Sequence, residues 1–283
     1  MPDPGDHFAA FSFVDRITEF TSGTRARGAF HVPATLPAFP SCLVAEAVGQ
    51  LAAWVSMEFI EYRGRPVAAL AGETRFRKHV APGDLIDLAV EIEHVDDDAV
   101  AYRGWADVGE HRAIELNDCL GPMLPATDFD APEALRERFA LLRGAGAPPD
   151  RFRGVVLPSV ETVEHVPGRS LHAKLHVPSS APFFADHFPR RPVFPATLLL
   201  ESQIGLATQL AHEADWARGG PASSASRMTH VKMRAFIVPG QEVDTHVEIA
   251  ETQDDTTRLM LKALDLDGKT IATARLEFVA AGA

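Results

Sequence analysis

A histidine and a glutamate stand fourteen residues apart in the stretch FFADHFPRRPVFPATLLLE (residues 183–201), as His187 and Glu201. An imidazole titrates near neutral pH, so it can take a proton from a weak carbon or oxygen acid there. A second glutamate, Glu46, lies in LVAEAVG, and Glu201 lies in LLLESQIG. Carboxylates among so many apolar neighbours are rare without a partner or a task, and a carboxyl whose pKa is raised by burial can give up a proton. Pro195-Ala196 opens the segment that carries Glu201. If that segment is a helix, its first backbone N–H groups have no partner within it and can receive a developing negative charge. Base, acid and oxyanion donor are the parts of a proton-transfer site.

The elements that must hold these groups occur twice. Residues 13–31 and 158–176 each run through a glycine into a strand ending in His-Val-Pro, with Gly23 and Gly168, and His31 and His176, 145 apart. FPSCLVAEAVGQLAAW and FPATLLLESQIGLATQL follow, with Pro40 and Pro195, and Glu46 and Glu201, 155 apart. APGDLIDLAVEI and VPGQEVDTHVEI then align Gly83 with Gly240, 157 apart. A shared order at a nearly constant offset marks an internal repeat.

Each copy reads as strand, helix, then antiparallel meander. Helices are expected from about Pro40 to Tyr62 and from about Pro195 to Glu213, since proline suits a first helical turn. Both are apolar nearly all round, as a helix enclosed by a sheet should be. Ile86, Leu88, Val90 and Ile92 alternate with other residues, as do Val243, Thr245, Val247 and Ile249. Period two marks strands. Asp267-Gly268 predicts a hairpin turn. DAPEALRERFALLRG predicts a helix from Pro132, and GAGAPPD a linker. The domains expected are residues 1–143, a linker at 144–150, and residues 151–283. ARGGPASSASR (217–227) reads as a surface loop.

Composition narrows the classes. Of 283 residues, 46% are hydrophobic and 23% charged, an ordinary globular mixture. A net charge of -12 argues against a nucleic-acid partner. Arg75, Arg77, Lys78 and His79 in TRFRKH form a local basic patch or a charged, exposed strand edge. No apolar run reaches membrane-spanning length, and the acidic start MPDPGDHF is unlike a signal peptide. Cys42 and Cys119 cannot build a disulfide framework; they are expected as buried hydrophobes in a reducing cytoplasm. His7, His79, His111 and His212 show no ligand spacing, and structural roles are their default.

His-Phe-Pro-Arg-Arg-Pro-Val-Phe-Pro, with an acidic residue fourteen positions after its histidine, resembles the signature of the hotdog 3-hydroxyacyl-acyl-carrier-protein dehydratases. The likeness covers most of residues 155–278 and, more faintly, 11–120. It implies an α+β tandem hotdog, each copy a curved antiparallel sheet wrapped around one helix. It implies loss of water from a 3-hydroxyacyl thioester to give the trans-2-enoyl thioester, in fatty-acid, polyketide or polyene assembly. The substrate would ride on the phosphopantetheine of an acyl carrier protein, with no metal or organic cofactor. His187 would be the base, and Ala196 would offer its N–H to the enolate oxygen. The family has glycine where this chain has Ala196 and Ser41, which adds a methyl group or more near the thioester. Phe183, Phe184, Val193 and Phe194 are expected to line an acyl tunnel.

Family sites take base and acid from different hotdogs, and here the copies differ. The repeat offset grows from 145 to 155 across the stretch holding His187, so the first copy lacks ten residues and the histidine with them. His31, fifteen before Glu46, corresponds to His176 instead. The expected pair is therefore His187 with Glu46, leaving Glu201 as a vestigial acid. A hotdog thioesterase and a non-catalytic acyl-binding or scaffold subunit are the rival readings. Two hotdogs in one chain already mimic the dimer of single-hotdog relatives, with or without further association of copies.

Overall fold

The structure is a computed structural model that describes residues 7–218 and 222–280. The first half comprises β1 (Arg16–Thr21), β2 (Arg25–His31), α1 (Ser41–Phe59), β3 (Gly64–Pro66), β4 (Leu70–Phe76), β5 (Leu85–Val95), β6 (Ala99–Val108) and β7 (His111–Pro125), followed by α2 (Pro132–Arg143). Residues 144–158 carry no helix or strand. The second half comprises β8 (Ser159–Val166), β9 (Ser170–His176), α3 (Ala196–Arg218), β10 (Ser223–Met233), β11 (Glu242–Gln253), β12 (Thr256–Leu264) and β13 (Thr270–Ala280).

Twelve strands form one antiparallel sheet in the order β1-β2-β5-β6-β7-β4-β10-β13-β12-β11-β9-β8, with β3 pairing on β7. The order is a palindrome: each strand of one half has its counterpart at the mirrored place in the other. The halves join where β4 pairs with β10, Thr74 opposite Met228 and Ala71 opposite Val231. Gly23 and Gly168 make equivalent turns with φ of 62° and 63°. That left-handed conformation favours glycine.

Each sheet half wraps one helix. Cys42, Leu43, Val44, Val48, Ala52, Ser56 and Met57 of α1 are buried around its circumference. By length and composition α1 could cross a membrane, but most of it is enclosed by protein. At Gly104 of β6 a Cβ would stand 2.5 Å from Val48 Cγ1 and 2.9 Å from Ala89 O, so the helix rests directly on the strand backbone. Inward residues Ile86, Leu88 and Val90 of β5, and Val243, Thr245 and Val247 of β11, are buried as their alternation requires. Asp267-Gly268 turns β12 into β13, with Gly268 at φ 78°. Both cysteines are buried and free.

Four expectations need correction. The first helix ends at Phe59, before the expected Tyr62, because Glu61 and Tyr62 turn to positive φ. The second runs past Glu213 to Arg218, no glycine or proline intervening. Residues 223–227, read as loop, open β10 and pair with β13; residues 219–221 of that segment lie outside the described residues, as do 1–6. The TRFRKH stretch is not a sheet edge either. β4 is flanked by β7 and β10, and Arg75 and Arg77 are tied to Glu73 and Glu115 at 2.8 and 3.2 Å.

Candidate active site

α1 and α3 lie side by side beneath the sheet, and their first turns face each other's glutamates. Thr197 Oγ1, in the first turn of α3, donates to Glu46 Oε2 at 3.0 Å. In the opposite sense the backbone N–H and thiol of Cys42, in the first turn of α1, donate to Glu201. Cys42 and Thr197 occupy equivalent places, so the two contacts are one contact repeated. Gln50, one turn beyond Glu46, donates Nε2–H to Glu46 Oε1 at 3.0 Å and accepts the Phe13 N–H at 2.8 Å. Both oxygens of Glu46 are thus held in place.

The segment between β9 and α3 crosses to the first half. A 3-10 turn at Pro182–Ala185 leads into His187, and the loop closes on itself. Val193 N–H donates to His187 O, and His187 Nδ1 donates to Val193 O, both at 2.9 Å. A proton on Nδ1 leaves Nε2 with the lone pair of a base. Burial holds the His187 pKa below the ordinary imidazole value, and the field of Glu46 opposes that shift. Arg190 fastens the loop to the first half, its N–H on Phe129 O and its guanidinium on Thr127 O.

His187 and Glu46 share a cavity of about 230 Å³, whose wall also includes Ala196, Thr197, Val193 and Phe194. Glu201 is not in that wall. Its carboxyl is pushed above the ordinary carboxylate range by burial, against the donors from Cys42. Phe183 and Phe184 are the correction here. They are buried in a core cluster drawn from both halves, Phe183 edge-on to Phe11 and Phe194, and do not line the cavity. An apolar side chain beside a histidine on a cavity wall can fill either place, and here the 3-10 turn directs both rings into the core.

Sequence reasoning missed the residues around this pair. The Arg65 guanidinium lines the cavity, lies 4.3 Å from the centre of the Phe188 ring, and pairs with Asp130 at 2.8 Å. Asp186, the neighbour of His187, accepts the N–H groups of Phe8 and Phe11 and the hydroxyl of Ser12. His7 lies between Asp130 and Asp186, at 3.5 and 3.3 Å. Burial alone would lower its pKa, but the two carboxylates outweigh it and raise it to about 9. Residues 7–14 are thereby strapped across the cavity. Gln50, one turn from Glu46, was open to sequence reasoning; the strap was not.

The chain matches the model of the FabA-like domain over residues 7–116 and again over 149–275. Among curated proteins, the 3-hydroxyacyl-acyl-carrier-protein dehydratase FabZ of Caldanaerobacter subterraneus subsp. tengcongensis is 35% identical over 119 residues, 38% of this chain and 84% of the relative. The FabZ of Bacillus subtilis is 40% identical over 98 residues, 30% of this chain and 69% of the relative. Similar solved structures include the tesB protein MAP1729c of Mycobacterium avium subs paratuberculosis (TM-score 0.57, 15% identity, 98% of this chain and 99% of that one). An acyl-ACP thioesterase from Bacteroides thetaiotaomicron is also similar (TM-score 0.55, 8% identity, 90% of this chain and 97% of that one). At such identity these two speak for a hotdog-type fold alone. The repeated match to one family model, on a sheet that is itself repeated, places this chain in the FabA-like domain family.

Proposed function

We propose that the chain is a double hotdog that dehydrates a 3-hydroxyacyl thioester, presented by an acyl carrier protein in the cytoplasm, at one site shared by its halves. The observation that carries this reading is the meeting of His187 and Glu46, from different halves, in one cavity. Nε2 of His187 takes a proton from the carbon next to the thioester carbonyl. The carbonyl oxygen gains negative charge as the enolate forms, and the N–H groups opening α3 at Ala196 receive it. Glu46, oriented by Gln50 and Thr197, holds the 3-hydroxyl and gives the proton with which it departs as water. One proton has left the substrate on His187 and one has come from Glu46. Return of the first to Glu46 resets the site. Burial around His187 favours the neutral imidazole that the first step needs.

The test is formation of the enoyl thioester, followed by its absorbance, from 3-hydroxyacyl pantetheine or carrier-protein thioesters. Dehydration by the wild-type chain and its loss in His187→Ala support the reading. Absence of enoyl product from any 3-hydroxyacyl thioester overturns it. The Glu46 carboxylate on the cavity wall also fits a second reading, in which it activates water against the thioester carbon. That reaction frees thiol from a saturated acyl thioester, which a dehydratase leaves intact.

A further inference from the structure

The cavity extends from Glu46 along α1 past Gly49 and Ala53 to Trp54, a span of about 12 Å at the helical rise. Gln50 and Tyr102 also line that stretch, and Arg138 of α2, which is 6% exposed and faces the same cavity, is the cation at its far end. The Arg138 guanidinium lies 5.3 Å from the centre of the Phe8 ring, and Phe8 lies 6.2 Å from Trp54, which places it at that far end. Its Nε is buried with no hydrogen-bond partner, and no carboxylate among the described residues stands at ion-pair distance. The carboxylates whose fields reach it are Asp186 and Asp15. Asp186 is occupied by the strap, and Asp15 accepts the His31 N–H at 2.8 Å. Burial lowers the Arg138 pKa to about 10, so the group remains a cation at neutral pH. A buried cation without an acceptor is costly, whereas an oxyanion beside it forms a charge-assisted hydrogen bond.

Building on the proposed dehydratase reading, we infer that the site takes an acyl chain bearing a carboxylate about two helical turns beyond the reacting carbons, received by Arg138. A methyl-ended chain leaves the guanidinium bare. The pantetheine phosphate is the other oxyanion such a substrate carries. It stays near the carrier protein, whereas an oxyanion that reaches Arg138 must pass through the cavity.

The experiment uses the full chain and unreactive acyl-pantetheine amides of graded length, ending in methyl or carboxylate, with and without the 4′-phosphate. Calorimetric affinity is the readout. At the best length the carboxylate form should bind about tenfold or more tighter than its methyl twin, the usual worth of a charged hydrogen bond. Arg138→Met should erase that gain while keeping affinity for the methyl form, and Arg138→Lys should retain part of it. Equal affinity of the twins, or a gain that survives in Arg138→Met, overturns the inference. So does a loss in Arg138→Met that follows the phosphate instead of the carboxylate. Dehydration of a methyl-ended 3-hydroxyacyl thioester, measured in parallel, tests the reaction itself and can succeed or fail independently.

Discussion

The two halves of this molecule carry the same glutamate on the same helix and use it differently. Glu46 accepts from Thr197 and Gln50 on the wall of a cavity that also holds His187. Glu201, its counterpart, accepts from Cys42 at the start of α1 and lies outside that wall. The strand order, the turns and the helix contacts are repeated; the loop that supplies an imidazole is not. A carboxylate with no imidazole beside it still has a use as a helix cap, since the first N–H groups of α1 need acceptors and Pro40 offers no side-chain oxygen. The loop beside a glutamate can therefore differ between two copies of a repeat while the packing around it stays.

The comparison can be broken at several points. Removing the base should act most strongly: His187→Ala should lower kcat/KM by about a hundredfold or more, the usual worth of a positioned general base. Thermal stability should move little by comparison, and near-normal turnover would deny the first site its special status. Thr197→Val takes one donor from Glu46 while Cys42→Val takes the thiol donor from Glu201. The first should lower kcat by about tenfold, with little change in melting temperature, and the second should leave kcat near wild type. Equal kinetic effects would mean that both glutamates serve the same reaction.

The pH profile sharpens the same contrast. The His187 pKa is lowered by burial, so the acid limb of kcat/KM should lie below the ordinary imidazole value of 6.5. Removing the opposing field in Glu46→Gln should lower the His187 titration further, as read by NMR. A shift upward would contradict the pairing. The smallest effect expected concerns the strap. His7 titrates at about 9 in the folded chain against 6.5 ordinarily, so its stabilising contribution is complete below pH 6.5 and is lost as pH rises through 9. The melting-temperature gap between wild type and His7→Phe should close over that interval; a gap independent of pH would sink this account.

Much of the plan was legible because the repeat is written in residues with narrow conformational uses. Gly23 and Gly168 mark turns, Pro40 and Pro195 open helices, and alternating aliphatics mark strands. The difference in offset across the histidine loop pointed to His187 with Glu46 for the same reason. What escaped depends on tertiary contact that no spacing records. The hold of Asp186 on Phe8, Phe11 and Ser12 joins residues 174 to 178 positions apart. Arg65 and Arg138 resemble any surface arginine in sequence and become cavity residues only once strap, α2 and histidine loop converge. The direction of Phe183 and Phe184 was equally hidden, because their apolarity suits a core and a tunnel alike.

The central claim is that one site is built from both halves and that the second glutamate has no part in it. Steady-state dehydration by Glu46→Gln, Glu201→Gln and the double variant, with melting temperatures measured alongside, tests it most directly. The account predicts that Glu46→Gln loses most activity, that Glu201→Gln keeps most of it, and that the double variant is no worse than Glu46→Gln alone. The opposite result, Glu201 essential and Glu46 dispensable in folded protein, would show that the site lies within a single hotdog and would contradict the pairing.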